Sequence, residues 1–239
     1  MIFRLLSRTR IEEYLKKDDR IILPVGSTEQ HGPYGLTGTD HLIAEKLAER
    51  IAELTYTIAG PTLPYGMSVH HTEFKGVLTL KPSTLFKVFE DIFWSLHKQG
   101  FKRIMILNGH GGNRNTFGAL MSEYLYQYTD MKVKFRCWWD GKGIRELIKE
   151  KFGDREGKHC SPSEISLTMY LFPEFVKKTK TAFKPLPERN VFEDPVYFKE
   201  KFPNGIVGAD PNLASAEHGK EIFEKCAESF ISEMNYWGD

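Results

Sequence analysis

Three apolar runs of strand length, each followed along the chain by residues with helical periodicity, constrain the fold more than any other feature. These runs cover residues 21–25, 103–107 and 133–138. Short apolar runs bounded by turn residues are typical of buried strands, and their alternation with helices indicates parallel strands. The sequence therefore predicts a three-layer α/β/α sandwich with a largely parallel central sheet.

The remaining segments follow the same periodicities. Helices are predicted at about residues 9–17, 40–54, 82–97, 115–128, 142–151 and 214–237, with a further short strand at 56–59. Residues 175–204 read as an irregular surface excursion whose aromatic residues would contact other subunits: Phe183, Phe192, Tyr197, Phe198 and Phe202. Because no linker, low-complexity tract or repeat interrupts the 239 residues, we expect one domain over residues 1–239.

Charge and composition exclude several classes of partner. The formal charge of +1 is spread along the chain without blocks of like charge, so neither nucleic acid nor a membrane surface is indicated, and the expected partner is a small neutral or mixed-charge molecule. No signal peptide or membrane-spanning run is present, so we expect a soluble cytoplasmic protein. Three widely spaced cysteines argue against a disulfide framework and a cysteine-rich zinc site.

Three side chains with metal-binding chemistry follow the first strand. Glu29, His31 and Asp40 offer two carboxylates and an imidazole, a set that suits zinc or manganese. Each also has a plainer interpretation. Asp40 stands where a helix N-cap is expected, and a single Glu or His in a loop is usually only solvated or hydrogen-bonded.

The second strand run leads directly into the sequence NGHGGN at residues 108–113. A strand, a glycine turn and a helix in succession place a site at the carboxyl edge of a parallel sheet. A phosphate cradle is one alternative, although the lysine of a Walker loop is missing. A sharp strand-to-helix turn is another, and it leaves His110 unexplained.

Two further segments carry candidate residues. In the sequence HCSPSE at residues 159–164, Ser161 and Glu164 form the pattern of a helix capping box, which competes with a metal-ligand role for Glu164. His70 and His71 follow a turn, where histidines are usually surface residues but where substrate groups are also placed.

Four motifs in this order resemble those of the creatininase family of metal-dependent amidohydrolases, and the likeness covers nearly the whole chain. They are VGSTEQHG at 25–32 with GTD at 38–40, NGHGGN at 108–113, the His and Glu of 159–164, and GIVGADP at 205–211 with the residues that follow. The resemblance implies two divalent metal ions, zinc, manganese or iron, held by Glu29, His31, Asp40, His110 and Glu164, with Asp40 bridging. It matches His159 to the family's catalytic histidine.

The same resemblance implies a reaction and an assembly. Two metal ions would activate a water for attack on an amide or formamide carbonyl, and His159 would pass a proton to the leaving nitrogen. Ser68, His71, Gly111 and Gly112 are the candidate substrate-binding residues. A homo-oligomer, expected to be a hexamer, is implied as well.

Departures from the family pattern bear on the substrate. Gly112 stands where creatininase proper has a glutamate ligand, and Glu164 is expected to replace it; residues 160–162 and the surroundings of Gly76 also differ. We therefore expect a cyclic amide or formamide substrate other than creatinine. Alternatives are a formamidopyrimidine-nucleotide deformylase or peptide-trimming enzyme of the same family, and a non-catalytic metal- or phosphate-binding α/β module.

Overall fold

Within the part of the chain that the structure describes, the central sheet has four parallel strands. The computed structural model describes residues 1–176, 180–185 and 194–238, without the side chain of residue 125. Its strands are β1 (Arg20–Val25), β2 (Ile58–Ala59), β3 (Arg103–Asn108) and β4 (Lys132–Cys137). They are arranged in the order β2-β1-β3-β4, and every neighbouring pair is parallel.

Helices cover both faces of this sheet. They are α1 (Arg8–Leu15), α2 (Thr39–Leu54), α3 (Pro82–Gln99), α4 (Arg114–Gln127), α5 (Ile144–Phe152), α6 (Pro162–Leu171), α7 (Pro195–Lys201) and α8 (Ala216–Asn235). Ile22 packs with α2, α5, α6 and α8, whereas its neighbours Ile21 and Leu23 pack with α1, α3 and α4. Because successive strand residues point to opposite faces, one strand contributes to both cores. The predicted three-layer α/β/α sandwich is confirmed.

Two local predictions are corrected. The strand predicted at 56–59 is shorter, because Tyr56 adopts a left-handed φ of 56° in the turn after α2. The excursion predicted at 175–204 contains helix α7, which begins after Asp194, whose Oδ1 accepts a hydrogen bond from Tyr197 N at 2.9 Å. Asp at this position supplies a helix N-cap.

The interpretation of the excursion as an exposed aromatic surface is wrong for two of its residues. Phe198 and Phe202, one helical turn apart, are 2% and 8% exposed and pack with Val207 inside this chain. Phe183 and Tyr197 are half-buried. Phe192 lies outside the described residues.

None of the helices in the described residues has the length and apolar character needed to cross a membrane.

Candidate active site

Close packing of α2 against two strand ends brings the first candidate residues together. A Cβ atom at Gly109 would lie 2.0 Å from the carbonyl oxygen of Asp40, and one at Gly26 would lie 2.3 Å from the backbone nitrogen of His41. Only glycine allows backbones to approach this closely. The first turn of α2 is therefore held against the carboxyl ends of β1 and β3, which carry Glu29, His31 and His110 into the same space.

Asp40 belongs to two groups of potential metal ligands. Ligand atoms of Glu29, Asp40 and His110 lie within 4.8 Å of one another, and so do those of His31, Asp40 and Glu164; a third such group, without Asp40, consists of Glu29, His31 and His159. Asp40 Oδ1 lies 3.1 Å from His31 Nε2, and Asp40 Oδ2 lies 3.0 Å from His110 Nδ1. One carboxylate thus faces both groups, one oxygen to each histidine.

The N-cap interpretation of Asp40 is wrong. Helix α2 begins at Thr39, Gly38 stands at the cap position, and the cap position makes no side-chain hydrogen bond. Asp40 lies in the first turn, 2% exposed, with its carboxylate turned toward the two histidines. Its negative charge also lies near the positive end of the helix dipole.

The donor set fits a divalent metal ion. His31 Nε2 and Asp40 Oδ2 are buried, and although each lies about 3 Å from an atom of opposite charge, neither makes a hydrogen bond of acceptable angle among the described residues. An unsatisfied buried polar atom costs about 1 to 3 kcal/mol, and more when it is charged. Imidazole nitrogen and carboxylate oxygen are ligands of zinc and manganese, so a metal ion is a chemically suitable partner for both atoms.

The carboxylates and histidines of this site shift one another's pKa values. Burial raises the pKa of Asp40, but His31 and His110 outweigh burial and hold that pKa well below its usual range. Burial lowers the pKa of His31, but the Asp40 carboxylate outweighs burial and raises that pKa to about 9. Burial also lowers the pKa of His110, but the carboxylates of Glu29 and Asp40 raise it to about 10. The carboxylates therefore attract positive charge, and a metal ion must displace protons from the histidines to bind.

The orientation of His110 is set by its second nitrogen. His110 Nε2 donates to the carbonyl oxygen of Met67 at 2.9 Å, which leaves Nδ1 to face Asp40. Asn113 supports this arrangement, because its Oδ1 accepts from Met67 N at 3.0 Å and its Nδ2 donates to Asn108 Oδ1 at 3.0 Å. A hydrogen bond from the non-ligating nitrogen is the usual way to orient a metal-binding histidine. Sequence reasoning missed Asn108 and Asn113, although both flank the histidine motif.

Gln30 was also missed, and its amide group determines how two histidines are protonated. Gln30 Nε2 lies 2.9 Å from His71 Nδ1, 3.0 Å from His159 Nε2 and 3.0 Å from the Gly205 carbonyl oxygen. His159 Nε2 also lies 2.6 Å from the carbonyl oxygen of Gln30, to which it donates. Because an amide NH₂ has two hydrogens, these go to His71 Nδ1 and the Gly205 carbonyl.

With the protons assigned in this way, a donor from His71 and an acceptor from His159 both face Glu29. His71 carries its proton on Nε2, 3.5 Å from Glu29 Oε1, whereas His159 presents the lone pair of Nδ1 to the same oxygen at 3.4 Å. The pKa of His159 is held well below its ordinary value, mainly by burial and secondly by the neighbouring His31. The pKa of His71 is likewise held low, mainly by burial and secondly by His159. Both histidines are therefore neutral, and His159 Nδ1 can accept a proton or bind a metal ion.

Glu164 makes the predicted capping box without being withdrawn from the site. Ser161 N and Ser161 Oγ both donate to Glu164 Oε2, at 2.8 and 2.9 Å, and Glu164 N donates back to Ser161 Oγ at 3.2 Å. The predicted capping box is confirmed. Both cap bonds use one carboxylate oxygen, and Glu164 also belongs to the group of potential ligands with His31 and Asp40, so a ligand role for Glu164 stays a prediction.

A cavity of about 510 Å³ lies over these groups. Beyond the candidate ligands it is lined by His71, Gly111, Gly112, Trp139, Lys158 and Phe198, among others. Ser68 does not line it. The Ser68 hydroxyl is fully buried against the hydroxyl of Ser27, which donates to Glu29 Oε2 at 3.1 Å, so Ser68 supports Glu29 rather than facing a substrate.

The fold and this buried set of carboxylates and imidazoles define an α/β protein with a candidate metal centre at the carboxyl edge of its sheet. The chain belongs to the creatininase family, since the family model described as creatinine amidohydrolase matches residues 4–234. The resemblance predicted from the four motifs is thereby confirmed.

Several relatives are hydrolases by name. The chain is 28% identical to the 3-dehydro-scyllo-inosose hydrolase of Thermotoga maritima, covering 93% of this chain and 78% of the relative. It is 28% identical to the creatinine amidohydrolase of Pseudomonas putida over 87% of this chain and 85% of that protein. The chain is also 25% identical to a mycofactocin precursor peptide peptidase of Mycolicibacterium smegmatis, over 91% of this chain and 85% of that protein.

Solved creatininase structures share the fold. A structure described as creatininase Mn has a TM-score of 0.83 and 26% identity, covering 98% of this chain and 97% of that one. A mutant creatininase described as the Zn-Zn type has a TM-score of 0.82 and 25% identity, and the match covers 98% of this chain and 96% of that one. Creatininases thus occur in zinc and manganese forms.

Proposed function

We propose that this protein is a metal-dependent amidohydrolase that hydrolyses a cyclic amide or formamide C–N bond with two divalent metal ions, zinc, manganese or iron. The observation that carries the proposal is the position of Asp40, whose two oxygens face His31 and His110 in separate ligand groups. A carboxylate shared by two ligand groups is the arrangement that a two-metal hydrolase requires.

Glu29 and His110 would hold one ion, and His31 and Glu164 would hold the other. Asp40 would contribute a ligand atom to each ion. When bound, the ions supply an activated water and polarise the substrate carbonyl. His159 accepts a proton at Nδ1 and delivers it to the leaving nitrogen, a role that a neutral histidine can fill near neutral pH. Gly111 and Gly112 line the cavity and let a substrate approach the backbone closely.

Creatinine itself is disfavoured because Gly112 stands where creatininase proper has a glutamate ligand. Within the family, the alternatives are deformylation of a formamidopyrimidine nucleotide and trimming of a peptide; the peptidase name of one relative supports the latter. A phosphate-binding module is a weaker alternative. Arg114, the cation next to the glycine turn, is bound to Asp140 at 3.1 Å.

A substrate panel tests the proposal. Metal-loaded protein is assayed with creatinine, formamidopyrimidine nucleotides, N-formyl amines, cyclic amides and short peptides, and Asp40→Asn serves as the inactive control. We expect kcat/KM to be highest for a formamide or cyclic amide. Highest kcat/KM with creatinine or a peptide would reject the substrate assignment, and no turnover of any member by protein with a full metal complement would favour a binding module.

The assembly and location are further proposals. From the family resemblance we propose a homo-hexamer and a cytoplasmic location. Because Phe198 and Phe202 are buried within the chain, they do not supply the subunit contact expected of them. A monomeric mass in light scattering at micromolar concentrations would contradict the hexamer.

A further inference from the structure

A second cavity, of about 360 Å³, lies between α5 and the N-terminal end of α6, and we name it the α5–α6 cavity. Trp139, Lys158 and Glu164 line both this cavity and the one over the candidate metal ligands. The two spaces are therefore neighbours.

Two cations beside this cavity are not neutralised by the protein. Lys149 and Lys158 are exposed and line the cavity, and neither has an ion-pair partner within residues 1–176, 180–185 and 194–238. Other cations of the same region are paired: Arg145 lies 2.7 Å from Asp140, and Lys151 lies 2.5 Å from Glu221. Unpaired ammonium groups at the wall of a cavity favour a negatively charged ligand.

The backbone that carries Lys158 is held in place. Lys158 N donates to the carbonyl oxygen of Val207 at 2.8 Å, and Val207 N donates to that of His159 at 3.3 Å. Gly157 has a left-handed φ of 68°, and a Cβ there would lie 2.4 Å from Ala209 N. The segment is thus packed against residues 207–209, which fixes the position of Lys158 next to His159.

Two other lining residues have polar atoms without partners. Trp138 is 2% exposed, and its Nε1 has no hydrogen-bond acceptor among the described residues; Glu156 Oε2 also lacks a partner there. Burial raises the pKa of Glu156 to about 7, which reduces its negative charge near neutral pH.

We propose that the α5–α6 cavity binds an anionic group, a carboxylate or a phosphate, of the substrate whose amide or formamide is held at the candidate metal centre. The inference rests on the proposed hydrolase function and adds a substrate class to it. Lys158 and Lys149 bind the anion, while the scissile bond lies near His159. The proposal departs from the small neutral or mixed-charge partner expected from composition, because the substrate would carry an anionic group.

Matched formamides test the proposal. Formanilide, 4-formamidobenzoate and 4-formamidophenyl phosphate present the same reacting group with no charge, a carboxylate or a phosphate. They are assayed with the metal-loaded wild type and with the double variant Lys149→Gln/Lys158→Gln. Lys142→Gln, which removes an exposed charge just before α5 without touching the cavity, is the control.

We expect the wild type to favour an anionic probe over formanilide by about tenfold or more in kcat/KM, mainly through KM, since charge-assisted hydrogen bonds are the strong ones. The double variant should lose this preference for the anionic probe over formanilide, whereas Lys142→Gln should keep it. The better anionic probe identifies carboxylate or phosphate. An unchanged preference in the double variant, or none in the wild type, would overturn the proposal.

Calorimetry separates this inference from the hydrolase proposal. Inorganic phosphate and benzoate are titrated into metal-loaded wild type, the double variant and Lys142→Gln. A loss of about tenfold in affinity confined to the double variant supports the anion site even if every formamide is inert, in which case only the hydrolase proposal fails. Equal affinities in the three proteins overturn the anion site, because an anion held by Lys149 and Lys158 must bind more weakly when both are removed.

Discussion

Nδ1 of His110 lies 3.0 Å from Oδ2 of Asp40, which joins the loop after β3 to the first turn of α2. This contact depends on the hydrogen bond that His110 Nε2 donates to the Met67 carbonyl. Gly112 packs directly against that bond. A Cβ at Gly112 would lie 2.4 Å from His110 Nε2 and 2.5 Å from the Met67 oxygen.

Gly112→Ala is therefore expected to displace His110 and weaken metal binding by about 10- to 100-fold, as loss of a supporting hydrogen bond commonly does. Gly111→Ala is the matched control, because a Cβ at Gly111 meets no atom within 4 Å. Competition with a fluorescent zinc chelator measures both affinities. Equal zinc affinities for the two variants would show that the Met67 hydrogen bond does not orient His110.

The proton assignment at Gln30 gives a spectroscopic prediction. In zinc-loaded wild type, the ring ¹⁵N shifts of His71 should indicate a proton on Nε2, because Gln30 donates to Nδ1. Gln30→Glu offers only acceptors and should move that proton to Nδ1. A His71 ring that keeps the Nε2 proton in Gln30→Glu would contradict the assignment.

His159 is expected to act on protons rather than to hold metal. Its Nδ1 faces Glu29 Oε1 at 3.4 Å, in a position compatible with either role. His159→Asn should keep its full metal complement and lower kcat by about 10² to 10⁴, with little change in KM. The variant is assayed at matched metal occupancy. Wild-type turnover would remove His159 from the reaction, and loss of metal would make it a ligand.

Asp18 links stability to pH at the opposite end of the sheet. Its carboxylate lies 2.6 Å from Arg20 Nη2, and Arg20 Nη1 donates to the Met234 carbonyl of α8 at 2.9 Å. Burial raises the pKa of Asp18, but the hydrogen bonds from Arg20 outweigh burial and hold it below its ordinary value. A depressed carboxyl pKa stabilises the fold above the unfolded-state pKa of about 3.9, and this contribution is lost as pH falls through the folded pKa.

Asp18→Asn should therefore lower the free energy of unfolding by about 1 to 3 kcal/mol at pH 7, and the difference should close below about pH 4. Urea unfolding across this range measures it. Glu12→Gln, which removes an exposed pair with Arg8, should change nothing measurable. A deficit for Asp18→Asn that does not begin to shrink as the pH falls below about 4 would show that the loss does not come from the charge of Asp18.

Most of the fold could be predicted because the buried strands are continuous apolar runs and the helices are amphipathic. The exceptions depend on information that is not local. Helix α7 is short and lies between aromatic and charged residues, so the helical periodicity of its apolar residues is weak. The burial of Phe198 depends on its contact with the ring of His71, whose centroid lies 4.8 Å away.

Glu29, His31, Asp40 and His110 could be singled out from sequence because residues with metal-binding chemistry follow two strand ends, whereas the roles of His159 and Glu164 rested on the family resemblance. The arrangement of these side chains relative to one another could not be predicted. Whether Asp40 caps a helix or faces two histidines depends on the close approach of Gly26 and Gly109 to α2, which only the folded chain reveals. Gln30 carries no metal-binding chemistry, and its importance comes from contacts with His159 and Gly205, far away along the chain.

Metal stoichiometry tests the central claim most directly. After reconstitution with zinc or manganese and extensive dialysis, elemental analysis should find about two ions per chain in the wild type, about one in His31→Ala and in His110→Ala, and almost none in Asp40→Asn, because Asp40 is the residue shared by the group with Glu29 and His110 and the group with His31 and Glu164. Asp40→Asn that retains as much metal as the wild type, or a wild type that binds none after zinc, manganese and iron have been supplied, would contradict the two-metal account.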